Sequence, residues 1–107
     1  MSGTSSTSYK PQIAVGGKSP SITNLAMAVA NTEYAHTLKD NLHQLTIRSR
    51  VPSTVKLAFV STESGTKYIT MKPCTVFNID GIDFSGKILY VQSDTASNTL
   101  EIFEIYT

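Results

Sequence analysis

The chain has 107 residues, a length that fits one domain with a modest core. Nine Lys/Arg against eight Asp/Glu leave a formal charge of +1, so it offers no electrostatic footprint for nucleic acid or an anionic membrane surface. Charged residues make up only 16%, and Ser and Thr supply much of the polarity, which suits exposed β-structure and surfaces covered by another subunit.

Residues 1–20 are rich in Ser, Thr and Gly, with Pro11, Pro20, Gly16-Gly17 and one apolar island, Ile13-Ala14-Val15. Such a stretch has too little apolar surface to offset its own ordering entropy, so it reads as an extended N-terminal arm ahead of a domain at 21–107. No basic region precedes an apolar core, and no apolar run approaches the ~20 residues of a membrane-spanning helix. The expectation is a soluble protein made in a reducing compartment. Cys74 has no second cysteine to pair with and no base nearby in sequence, so it reads as a small half-buried strand residue.

From residue 22 onward the apolar residues recur every second position. Residues 22–30 alternate through Leu25, Met27 and Val29, although the alanines in 24–30 also make this the one helical candidate. After the turn at Asn31-Thr32, residues 33–38 put Tyr34, His36 and Leu38 on one side. After Lys39-Asp40-Asn41, residues 42–50 put His43, Leu45 and Ile47 on one face, and Gln44, Thr46 and Arg48 on the other. Pro52 breaks that strand. Residues 54–60 and 67–71 form a hairpin about the Ser/Gly turn 61–66, with Val55, Leu57 and Phe59 as its core face. Residues 74–79 follow, with Val76 and Phe77 expected inward, then the Asp80-Gly81 turn, a short run at 82–84, and Ser85-Gly86. Residues 87–92 are a strand and 93–98 a polar loop. The last strand, 99–106, sets Leu100, Ile102, Glu104 and Tyr106 against Glu101, Phe103 and Ile105, so it belongs at the centre of a sheet or against another subunit. About eight short strands with turn signals between them predict an all-β fold: a single antiparallel β-sandwich, jelly-roll or immunoglobulin-like.

Few constellations carry chemistry. Asn78, Asp80 and Asp83 match no calcium-loop spacing and read as a solvated turn. His36 and His43 face each other across a hairpin in this reading, but two histidines make an incomplete zinc site. Arg48 and Arg50, two apart on one face, form a surface pair or an intersubunit salt bridge, and are able to grip a carboxylate or phosphate. Glu101 and Glu104 are three apart and point to opposite faces, so they are no acid/base pair. Tyr34, Tyr68, Tyr90 and Tyr106 pack on faces or interfaces, or else form a carbohydrate-stacking platform. No Ser-His-Asp order, phosphate loop or paired-cysteine motif is present, so neither an enzyme nor a cofactor is expected.

One run of segments bears a family likeness. Asn31-Thr32-Glu33-Tyr34 precedes Leu38. Leu45-Thr46-Ile47-Arg48-Ser49-Arg50 and Val55-Lys56-Leu57-Ala58-Phe59 follow, then Ser64-Gly65-Thr66-Lys67-Tyr68-Ile69-Thr70, Lys87-Ile88-Leu89-Tyr90-Val91-Gln92-Ser93 and Leu100-Glu101-Ile102. Over residues 22–106 this resembles small virion structural proteins of tailed bacteriophages. The resemblance implies a β-sandwich subunit of the particle, located in the virion and made in the host cytoplasm. A capsid decoration (cement) protein comes first, with a tail or head-to-tail connector component second. A carbohydrate-binding module for host-surface glycans is the alternative from another class. The expected partners are the major capsid protein or other virion proteins and further copies of the chain, with no nucleic acid and no membrane. Tyr9, Ile13 and Val15 in the arm, with Arg48 and Arg50, are the expected partner-binding residues.

Overall fold

The two-residue alternation becomes eight strands among the residues described by the computed structural model, 17–80 and 86–107. They are β1 Ser19–Met27, β2 Tyr34–Thr37, β3 Leu42–Ser49, β4 Val55–Ala58, β5 Ile69–Met71, β6 Val76–Asp80, β7 Ile88–Ser93 and β8 Asn98–Tyr106. Every pairing is antiparallel. One sheet has the order β1-β8-β3-β6 and the other β2-β7-β4-β5, so consecutive strands along the chain mostly change sheet. The two sheets make a β-sandwich around one core. Met27, Leu42, Leu45, Ile47, Leu100 and Ile102 come from the first sheet, and Val55, Leu57, Met71, Leu89 and Val91 from the second. Each large aliphatic side chain withdrawn from water in this way contributes roughly 1.5–3 kcal/mol.

The turns follow local chemistry. Asn31 and Asn41 take positive φ (54° each), the left-handed conformation that Asn tolerates, where Asn31-Thr32 and Lys39-Asp40-Asn41 were expected to turn. β8 lies between β1 and β3, which accounts for its apolar residues on both faces. The expected hairpin of β4 and β5 forms, with Val55 opposite Met71 and Leu57 opposite Ile69.

Several expectations are corrected. Residues 24–30 are not helical: β1 runs through Met27, and its alternation with β8 outweighs the alanine propensity. β1 also begins at Ser19, inside the stretch read as arm, while residues 1–16 lie outside the described residues. Phe59 is not core. β4 ends at Ala58, and Phe59 starts a loop with 37% exposure. A register shift between Leu42 and Gln44 breaks the alternation of β3, so Leu42, Leu45 and Ile47 turn inward and His43 turns out. Phe77 and Ile79 pack toward the core, whereas Val76 points outward at 55% exposure. Cys74 is neither half-buried nor in a strand. It is exposed at positive φ (62°) in the turn between β5 and β6. The 81–85 turn and short run, with Asp83, lie outside the described residues.

Three polar clusters tie the sandwich together. Asn98, buried at the start of β8, donates through Nδ2 to the hydroxyls of Ser53 (2.7 Å), Ser49 (2.8 Å) and Ser93 (3.2 Å). Glu33, between β1 and β2, accepts from the Thr62 N–H (2.8 Å), the Ser64 N–H (3.2 Å) and the Ser64 hydroxyl (2.6 Å), which pins the β4–β5 loop. Glu104, fully buried in β8, reaches across to the second sheet, where His36 Nε2 donates to Oε1 (2.9 Å); the Lys39 N–H donates to Oε2 (2.9 Å). A buried carboxylate needs such partners, because an unpaired one loses its hydration with no return.

Candidate functional site

The outward face of the first sheet collects the side chains that the interior does not use. Register places them in rows. Asn24 lies beside Glu101, Glu101 beside Arg48, and Arg48 beside Val76. Ile22 lies beside Phe103, Phe103 beside Thr46, and Thr46 beside Asn78. Arg50 continues the pairing past β3, its N–H donating to the Thr99 carbonyl at 2.9 Å, and so shares the face of Arg48.

Arg48 and Arg50 do grip a carboxylate, and it belongs to this chain. Arg48 donates to Glu101 Oε1 from Nη2 (2.7 Å) and Nε (3.0 Å), and Arg50 donates from Nε to Oε2 (3.0 Å). The Arg48 hydrogen bonds first, then that from Arg50, hold the Glu101 carboxyl below the usual carboxylate range. Two guanidinium groups around one carboxylate leave the cluster with a net positive charge. The Arg48 and Arg50 side chains are 65% and 50% exposed, so both keep N–H donors facing solvent. A trough of about 500 Å³ adjoins the cluster, lined on its apolar side by Ile22, Val76 and Phe103. Ile22 is 73% exposed, an unusual position for an isoleucine in a regular strand. An acidic or amide-bearing group flanked by apolar side chains matches this surface.

The other sequence-derived candidates do not converge. His36 is engaged inside with Glu104, and His43 meets the Thr107 hydroxyl, so the two histidines do not face each other. The Asn78 side-chain oxygen accepts from the Thr46 hydroxyl (2.8 Å) and Gln44 (3.4 Å), so its chemistry is spent within the sheet. Among the described residues, no three His, Cys, Asp or Glu side chains are grouped to hold a metal ion. Among the described residues the tyrosines do not form one row, and Tyr90 stands between Ala35 and Ala58 in the second sheet. Tyr34 accepts the Val29 N–H at its hydroxyl (3.0 Å) and packs on the core, Tyr106 lies under Lys39 (5.2 Å), and Tyr68 lies under Lys56 (4.8 Å). Tyr9, Ile13 and Val15 lie outside the described residues. Sequence reading paired Arg48 with Arg50 but did not supply Glu101 as their partner. It also missed Glu104–His36, although each shared a side of its strand with apolar residues, Glu104 with Leu100 and Ile102 and His36 with Leu38.

No protein-family model matches the chain, and no curated protein matches it. Among solved structures, a de novo designed double-stranded β-helix determined by solution NMR is similar over 83% of this chain and 95% of that chain, at 15% identity. Its TM-score is 0.32, so the account of the fold rests on this chain's own strand order. Among the described residues no helix is long and apolar enough to cross a membrane.

Proposed function

We propose that this protein is a non-enzymatic jelly-roll subunit of a virion, a capsid decoration protein that docks through the outward face of its first sheet. Support for the jelly roll is the strand order. The first and last of the described strands pair, and β1-β8-β3-β6 and β2-β7-β4-β5 interleave as two Greek keys do. That architecture serves capsid and lectin domains alike, so function is argued from the surface. The observation that carries the reading is the trough. A rigid sheet presents exposed Ile22 and Val76 beside the positive Arg48–Glu101–Arg50 cluster. An apolar patch with a preorganised charged group is a docking surface for an acidic, partly apolar protein segment. The family likeness supplies the virion context. Dispersal of the tyrosines over both sheets favours assembly over a glycan platform.

Cosedimentation of the purified chain with heads of the phage that encodes it tests this. Wild type is expected to sediment with heads and raise the temperature at which they open. Arg50→Glu, which turns the cluster net negative, and Val76→Asp are expected to abolish binding while leaving the melting curve of the free protein near wild type. Heads that fail to bind the wild-type chain, or glycan-array hits that survive both substitutions, sink the reading.

A further inference from the structure

Among the described residues the two sheets have four edges, and three are defended. β2 exposes four residues, β5 three and β6 five, the last ending on Asp80. Short edges and edge charges are how β proteins prevent strands from pairing with strangers. β1 breaks the pattern. It runs nine residues, Ser19–Met27, without a charged side chain, and among the described residues its outer side has no strand partner. Nine residues make an edge of roughly 30 Å carrying main-chain donors and acceptors. Pro20 removes one donor near the start and leaves the rest.

We propose that this edge pairs with β1 of a second copy, antiparallel about a two-fold axis at Ile22. Opposite residues in an antiparallel pair share a face, so a continuous outward surface requires outward residues to meet outward residues. Centring the axis on Ile22 satisfies this. Ile22 meets its own copy, Ser21 meets Thr23, Pro20 meets Asn24 and Ser19 meets Leu25. Ile22, at 73% the most exposed large apolar side chain among the described residues, then packs one flank against an identical one while its outer side stays on the trough. An isologous contact needs a self-complementary surface, and an uncharged strand is one. The nearest flanking charge, Lys18, recurs on its copy roughly 26 Å away at strand spacing, beyond the screening length, so it does not oppose pairing. The product is one eight-stranded sheet across two copies, with two Arg48–Glu101–Arg50 clusters on the same side. This goes beyond the docking proposal and does not depend on what the troughs bind.

Sedimentation velocity on the full chain, over a concentration series reaching the millimolar range, reads the assembly. A concentration-dependent dimer is expected, and Ile22→Lys is expected to raise its Kd by at least roughly tenfold, because two ammonium groups then meet at the axis. Ile22→Cys in a Cys74→Ser background reads the register independently of affinity. Mild oxidation is expected to link it as a dimer, because opposite Cα atoms are about 4.5–5.5 Å apart, within disulfide reach. Ala26→Cys in the same background is expected to stay unlinked. A monomer at every concentration overturns the proposal, as does a dimer indifferent to Ile22→Lys, or equal linking at both cysteine positions. A monomer whose β1 amides lose hydrogen-exchange protection when residues 1–16 are removed also overturns it, by assigning the edge to the chain's own N-terminal segment. Head binding by a protein that stays monomeric sinks this proposal alone.

Discussion

Glu101 and Glu104 sit three residues apart on β8, carry the same side chain, and do opposite work. Glu104 faces inward, with no exposed surface, and is held by His36 from the other sheet and by the Lys39 N–H. Glu101 faces outward, holding two arginines on an open surface beside an apolar trough. For Glu104, burial pushes the carboxyl up, but the His36 hydrogen bond and the Lys39 N–H together outweigh it, and the group ends below its ordinary value. For Glu101 the arginine hydrogen bonds dominate from the start. Both carboxyls titrate low, so titration does not tell them apart. What separates them is what happens when the charge is removed. The inner carboxylate is a fastener between sheets, and the outer one shapes a surface.

The largest effect expected from breaking that contrast is on stability at the inner site. Glu104→Ala strands the Lys39 N–H and the His36 ring in a buried site, and is expected to cost about 3 kcal/mol, a fall in Tm of roughly 10–20 °C by calorimetry. Glu104→Gln keeps an acceptor for the Lys39 N–H and is expected to lose less. Next is Asn98→Ala at the other polar seam between the sheets. Removing a buried amide shared by Ser49, Ser53 and Ser93 is expected to cost about 2 kcal/mol in urea unfolding.

The acid limb of the stability curve sharpens the comparison. The folded-state values of Glu33, Glu101 and Glu104 all lie below the ordinary one, so the unfolded chain binds more protons at low pH. Their stabilisation is fully present above the unfolded carboxylate value of about 4.3 and is lost as the pH falls from there through the lowered folded values. Glu104→Gln is expected to flatten that limb of the urea-midpoint curve measured against pH. An unchanged acid limb would contradict a charged Glu104.

Smaller and local is Glu33→Ala. The Ser64 hydroxyl bond first, then the Thr62 N–H, lower the Glu33 carboxyl against the upward pull of its partial burial, so this is an acceptor that the loop uses. Its loss is expected to speed amide exchange at Thr62 and Ser64 while leaving β3 and β8 amides unchanged. Thr62, a β-branched residue at positive φ (69°), is the place where the released loop relaxes first. The smallest stability change is expected for Glu101→Ala. Its partners are exposed arginines that water hydrates in its absence, so the melting curve is expected to stay near wild type while head binding changes.

Much of the interior was legible before the fold. Alternation put Leu45 and Ile47 on one side of β3, and Leu100, Ile102 and Glu104 on one side of β8. The same period put Tyr34, His36 and Leu38 together, so a carboxylate and an imidazole each already shared a side with apolar residues. Their meeting was not legible, because 68 residues separate them and only the stacking of the sheets makes them neighbours. Errors came where period two is interrupted. The irregularity after Leu42 reverses His43, and the early end of β4 sends Phe59 into a loop. A bulge and a strand end are set by what the neighbouring strand offers, which the local pattern does not encode. Arg48 and Arg50 were rightly placed on one face, but the acceptor between them arrives from β8.

The sequence by itself determined that this is an all-β chain, where most turns fall, and that Glu101 and Glu104 look in opposite directions. Those are properties of a pleated chain, in which side chains alternate whatever lies next to them. Only the tertiary structure decided that β8 lies between β1 and β3, that Glu104 joins His36 across the core, and that Glu101 gathers Arg48 and Arg50. Strand order and charge partners depend on which distant segments jointly bury the most apolar surface while leaving no buried carboxylate unpaired, and that is a property of the whole chain.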